Sequence, residues 1–187
     1  MRREQGMIEF CDDPGCILRV VRLPAEVELT LSDGVVVRRG DPILDLHFWN
    51  ERLPQASAKP GLGWGGRFGR QLMRSFGSLA HAIDADPRIS DAVAIRGRLA
   101  FAGSRNREES ERFGRWFSLE TPQATGREPL GRRLHDAAED IWLVALTYTF
   151  NPGGLRHRSV VRRREDLWMS RSTLAARHGP QAKRPAA

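Results

Sequence analysis

Asp45 and His47 stand two residues apart in the apolar run Ile43 to Trp49, with Asn50 and Glu51 directly after it. On an extended strand that spacing places both side chains on one face, with Leu46 and Phe48 on the other. A carboxylate so placed orients the imidazole ring, and an oriented imidazole serves as a general base or a metal ligand. Glu51, just past the strand, adds a second carboxylate. Asp45, His47 and Glu51 are therefore the candidate catalytic set. A metal would need a third strong ligand from elsewhere, such as His81 or His135, and no metal site is expected. The competing reading is structural: His47 is a partly buried ring paired to Asp45, and Asn50-Glu51 ends a strand. It is preferred, because reactive sites normally show more than one such cluster.

The second candidate is Gly61-Leu62-Gly63-Trp64-Gly65-Gly66, which has the letters of the dinucleotide fingerprint and opens a helix, with Asp84 and Asp86 about twenty residues on. Its context is wrong. The fingerprint turn comes directly off a strand, whereas the preceding strand ends near residue 49, and Trp64 is bulky where backbone must approach phosphate. No cofactor is expected. What survives is an anion site: free amides at Gly65, Gly66 and Arg67 with Arg70 one turn on. The alternative is a glycine loop before an amphipathic helix whose arginines are solvated, and it carries more weight.

Two further constellations are weaker. His135 and Glu139 lie one helical turn apart and have metal-sharing spacing, but such pairs are commonly solvent-facing. Met169 to Gly179 has small polar residues at its start, Arg177 within and Gly179 after, like the second helix of a helix-turn-helix. Arg162-Arg163-Arg164 stand upstream. That motif needs two packed helices, and a C-terminal helix docking on a sheet explains the stretch better.

These residues need elements to hold them. Ile17 to Val21 is apolar and β-branched, a strand or a first short helix. Glu26 to Leu31 alternates, Asp33-Gly34 is a hairpin turn, and Val35-Val36-Val37 returns. Gly40-Asp41-Pro42 turns into strand 43–48, so three consecutive strands form an antiparallel meander. A helix over 67–85 carries Phe68, Leu72, Phe76, Leu79 and Ile83 on one stripe and Arg67, Arg70, Arg74 and His81 opposite. Strand 92–101 follows, allowing a crossover unit with strand 43–48. A second amphipathic helix is expected near 130–150, its end readable as helix or strand. Leu167-Trp168-Met169 reads as strand, and Ser170 caps a short helix to His178. Trp49, Phe68, Leu72, Phe76, Leu79, Ile95 and Trp142 form the expected core.

The whole is an α+β fold: one mixed domain at 16–179 with an antiparallel-leaning sheet, a hairpin near 26–48, and helices near 67–85 and 130–150 covering it. Residues 1–15 are expected to be poorly ordered and 180–187 a disordered tail. Its 187 residues suffice for one core. No run of about eighteen apolar residues and no leader h-region stands out, so a cytoplasmic protein is expected. Cys11 and Cys16 lack a second pair and are read as free thiols. The charge is +7 and the pI about 10.7. Because Lys59 and Lys183 are the only lysines, an arginine excess of genomic origin competes with a functional one. Basicity therefore hints at anions without selecting nucleic acid.

With Asp33-Gly34, Gly40-Asp41-Pro42, Leu46-His47-Phe48-Trp49-Asn50 and Leu167-Trp168-Met169-Ser170, the chain resembles the YkoP-like bacterial domain, found alone or beside polysaccharide deacetylases. The resemblance spans about residues 30–178. It implies an accessory domain in a cell-envelope context and carries over no catalytic residues. No deacetylase metal motif is present. The expected function is a small basic accessory module, non-catalytic, for an anionic small molecule or a polysaccharide-related protein. The alternative is a small hydrolase built on Asp45, His47 and Glu51, with DNA binding third.

Overall fold

The computed structural model describes residues 6–54, 62–100, 114–122 and 164–180. The helix expected near 130–150, with Trp142, His135 and Glu139, lies outside them, as does the tail from 181. Among the described residues the strands are β1 (Met7–Ile8), β2 (Leu18–Pro24), β3 (Leu29–Thr30), β4 (Val36–Val37), β5 (Pro42–Phe48), β6 (Ala94–Ala100) and β7 (Arg164–Ser170). Among the described residues α1 (Leu62–Ala85) and α2 (Arg171–His178) are helices, and residues 114–117 are helical as well. A mixed five-stranded sheet in the order β1-β2-β5-β6-β7 is joined by a two-stranded sheet of β3 and β4. This is the expected α+β class.

The hairpin forms where Asp33-Gly34 predicts it, Gly34 taking a φ of +85°. The meander does not form. β5 pairs antiparallel with β2 and parallel with β6, while β3 and β4 stand apart as their own sheet. The reason lies in β5 itself: Ile43 and Leu44 point to opposite faces and are both fully buried, which demands a central strand. The Gly40 corner delivers it. Gly40 donates to the carbonyl of Ala25, and Ala25 donates to that of Asp41, so the chain leaves the hairpin alongside the end of β2.

α1 then carries the chain across to the parallel strand β6, as the crossover reading requires. Its stripe Leu72, Phe76, Leu79 and Ile83 is buried against Leu18, Val20, Leu44, Ile95, Leu167 and Met169, one face of the sheet. Phe68 and Trp49 are only half-buried, not core as expected. On the opposite sheet face, Ile43, Ala94 and Trp168 pack under the hairpin residues Val27, Leu29, Leu31 and Val37. The rest of that face is free to carry polar side chains.

α2 is entered directly from β7, so no helix precedes it as a helix-turn-helix would need. Leu174 enters the core, and the ring of His178 lies 5.0 Å from that of Phe76. Ser170 caps the helix as expected, its hydroxyl accepting from the Thr173 amide at 2.9 Å. Asp33 of the hairpin turn reaches the same point. Its Oδ2 accepts from the hydroxyls of Ser170, Ser172 (2.7 Å) and Thr173 (3.2 Å). Burial works to raise the Asp33 carboxyl, but these hydrogen bonds and the Val35 amide hold it below its ordinary value. A carboxylate also suits a helix N-terminus.

Asp33→Asn is therefore expected to lower stability at pH 7 by about 1 kcal/mol, the scale of a lost cap. Because the folded value is depressed, this contribution is present above the ordinary aspartate range and disappears as pH falls through the folded one. The gap between the urea melts of the two proteins should thus narrow as pH falls below the ordinary aspartate range. A gap that does not narrow with falling pH would refute this role for the Asp33 carboxylate.

Candidate functional site

The polar end of the hairpin-side face is built by alternation. Along β5, Ile43, Asp45 and His47 share that face, and cross-strand register sets Asp45 beside Arg96 of β6, with Arg96 beside Trp168 of β7. Arg96 Nε donates to Asp45 Oδ1 at 2.6 Å, and His47 Nε2 lies 3.2 Å from Asp45 Oδ2. The Arg96 side chain is 6% exposed, Asp45 13% and His47 43%. Burial pushes the Asp45 carboxyl up, but hydrogen bonds from His47 and Arg96, with their charges, pull it below the usual carboxylate value. Arg96 also sits 5.9 Å from the Trp168 ring, and Arg98 pairs with Asp166 at 3.3 Å.

Asp45 and His47 thus come together as expected, and Glu51 does not join them. It is exposed in the helical turn Asn50–Arg52, and among the described residues no hydrogen bond or ion pair links it to either. The carboxylate that would orient His47 is shared with a buried guanidinium, which makes the pair half of an ion-pair network. His81 is exposed on α1. Among the described residues, no three His, Cys, Asp or Glu side chains gather as metal ligands do. Cys16 is buried beside the Leu18 carbonyl at 3.6 Å, and burial raises its thiol above the ordinary value.

Arg96 escaped sequence reading, although a signal was present. In Ala94-Ile95-Arg96-Gly97-Arg98, two arginines alternate within an apolar strand, which marks a polar face able to meet Asp45.

The second site changes shape. α1 begins at Leu62, five residues earlier than expected, so the amides of Gly65, Gly66 and Arg67 lie past the first three helical positions and belong to the helix's own ladder. Gly65 and Gly66 are exposed and offer no free donors there. Arginine side chains remain. Arg67, Arg70 and Arg74, with Gln71 and Pro54, line a cleft of about 330 Å³. Arg74 Nε pairs with Asp13 Oδ2 at 2.8 Å. Among the described residues, Arg67 and Arg70 have no acidic partner. Nearby, Arg52 donates to the carbonyl of Asp13 at 3.0 Å and stacks on Trp49 with its guanidinium carbon 3.3 Å from the ring centroid; Arg19 lies over the same ring at 5.0 Å. Arg74 and Gln71 lie outside the expected ligand set, though their spacing from Arg67 and Arg70 on one helix is legible in the sequence.

No helix among the described residues is long and apolar enough to cross a membrane. No curated protein and no solved structure matches the chain. Residues 16–102, which hold the hairpin, β5, α1 and β6 and both candidate sites, match the family model of the YkoP domain, and this part of the chain is a YkoP-like domain.

Proposed function

We propose that the domain is a non-catalytic binding module for an anionic ligand, seated in the α1 cleft, in an accessory role that suits a cell-envelope polysaccharide context. One observation carries the reading. Arg67, Arg70 and Arg74 occupy one exposed helix face at three- and four-residue spacing, and only Arg74 has a carboxylate partner among the described residues. Like charges so spaced weaken a helix, and a bound anion offsets that cost. Sulfate or phosphate should raise the melting temperature beyond chloride at equal ionic strength. At about 10 mM ligand and a Kd of about 1 mM the gain is about 1.4 kcal/mol, a few degrees for this size. Arg67→Ala/Arg70→Ala should abolish the difference. An equal response in wild type and variant would defeat the reading.

The 3.2 Å contact between Asp45 and His47, with His47 partly open to solvent, favours a second reading: a small hydrolase using Asp45 and His47, without the expected Glu51. Ester hydrolysis by the purified protein that vanishes in His47→Gln would establish it.

A further inference from the structure

The cleft beside α1 holds three different demands, and a simple inorganic anion meets only one. At 1.5 Å rise per residue, Arg67 and Arg70 lie about 4.5 Å apart along the helix axis and Arg74 about 6 Å beyond, all within a sector of about 60°. Arg67 and Arg70 together can take one anionic group. Arg74 is already occupied by Asp13, so drawing it to a ligand requires a second anionic group that competes with that carboxylate. Gln71 stands between them in sequence and lines the same cleft. Its Oε1 is buried and, among the described residues, has no hydrogen-bond partner. An unpaired buried acceptor is costly, and a donor from a ligand relieves it. At about 330 Å³ the cleft lies at the small end of ligand pockets, roughly 300–1,000 Å³.

We infer that the cleft binds a small bis-anion of the sugar bisphosphate class. One phosphate sits on Arg67 and Arg70, a hydroxyl of the spacer donates to Gln71 Oε1, and the second phosphate takes Arg74 in exchange for Asp13. Asp13 is then a specificity-determining residue: it holds Arg74 in the free protein and gives way only to a ligand carrying a second charge. This rests on the anion-binding reading above.

The test is calorimetry on the full chain at constant ionic strength, using inorganic phosphate, glucose 6-phosphate, glucose 1,6-bisphosphate and 1,6-hexanediol bisphosphate. Glucose 1,6-bisphosphate should bind at least tenfold tighter than glucose 6-phosphate. Arg74→Ala should remove that preference, bringing glucose 1,6-bisphosphate down to the affinity that the same variant shows for glucose 6-phosphate; Arg74 is 66% exposed, so the variant is expected to fold. Asp13→Asn should tighten the bisphosphate severalfold. Gln71→Leu should bring the glucose bisphosphate down to the level of the hexanediol compound, which lacks hydroxyls. Equal binding of mono- and bisphosphate, or a preference that survives Arg74→Ala, would overturn the bis-anion inference while leaving simple anion binding intact. No binding of any of the four compounds would overturn both.

Discussion

Phe76→Ala should lower the free energy of unfolding by about 3–5 kcal/mol, the cost of deleting a large ring from a core that cannot collapse around the gap. Phe76 is 1% exposed and sits mid-stripe on α1, between Leu72 and Leu79, facing Leu44, Ile95 and Leu167 of the sheet. Its ring centroid lies 6.1 Å from that of Phe117 and 5.0 Å from the His178 ring, so the cavity would open where sheet, α1 and α2 meet. Met73, on the same helix but 42% exposed, is the internal control. Met73→Ala should stay within about 0.5 kcal/mol, as surface changes do. Urea unfolding followed by far-ultraviolet dichroism measures both. Equal losses in the two variants would mean that the Phe76 stripe does not cover the sheet.

The parts of this architecture that sequence reveals are those set by short-range chemistry. The period of Leu72, Phe76, Leu79 and Ile83 announces the buried face of α1, and Asp33-Gly34 announces a turn with positive φ. The Ser170 cap is legible for the same reason: the hydroxyl and the amide it serves are three residues apart. Pairing partners were not legible. Which strand lies beside β5 depends on the path taken after Gly40 and on two-sided burial at Ile43 and Leu44, and neither shows in a local pattern. The start of α1 was missed because four glycines look like a loop, although helix context outweighs their low propensity. At the site, Asp45 with His47 was readable, since both lie on one strand. Arg96, 51 residues later, was not, because its contact exists only once β5 and β6 pair in parallel register. The same holds for Asp13 with Arg74 and for Asp33 with α2.

Asp45→Ala should cost about 3–5 kcal/mol at pH 7, because it leaves the guanidinium of Arg96 buried without its anion. Arg96 is 6% exposed, its Nε is 2.6 Å from Asp45 Oδ1, and the Trp168 ring that shares its face cannot replace a carboxylate. Arg96→Ala should cost a similar amount by stranding Asp45. The double replacement Asp45→Leu/Arg96→Met should recover much of the loss, since a well-packed apolar pair can match a buried ion pair. His47 is the revealing contrast. Asp45 keeps Arg96 when His47 is removed, and His47 is 43% exposed, so His47→Ala should cost under about 1 kcal/mol. The pH dependence follows from the depressed Asp45 value. The carboxylate's contribution is fully present above the unfolded aspartate value of about 3.9 and is lost as pH falls through the lower folded one. The deficit of Asp45→Ala should therefore shrink towards pH 3. A catalytic or metal-binding pair predicts the reverse: Asp45→Ala and His47→Ala would both leave the melt unchanged, while a chelator or the loss of a hydrolytic rate would report the damage. Denaturant melts at pH 7 and pH 3, with and without chelator, separate the two. A loss below about 1 kcal/mol for Asp45→Ala, with a chelator-sensitive wild type, would sink the structural assignment of this pair.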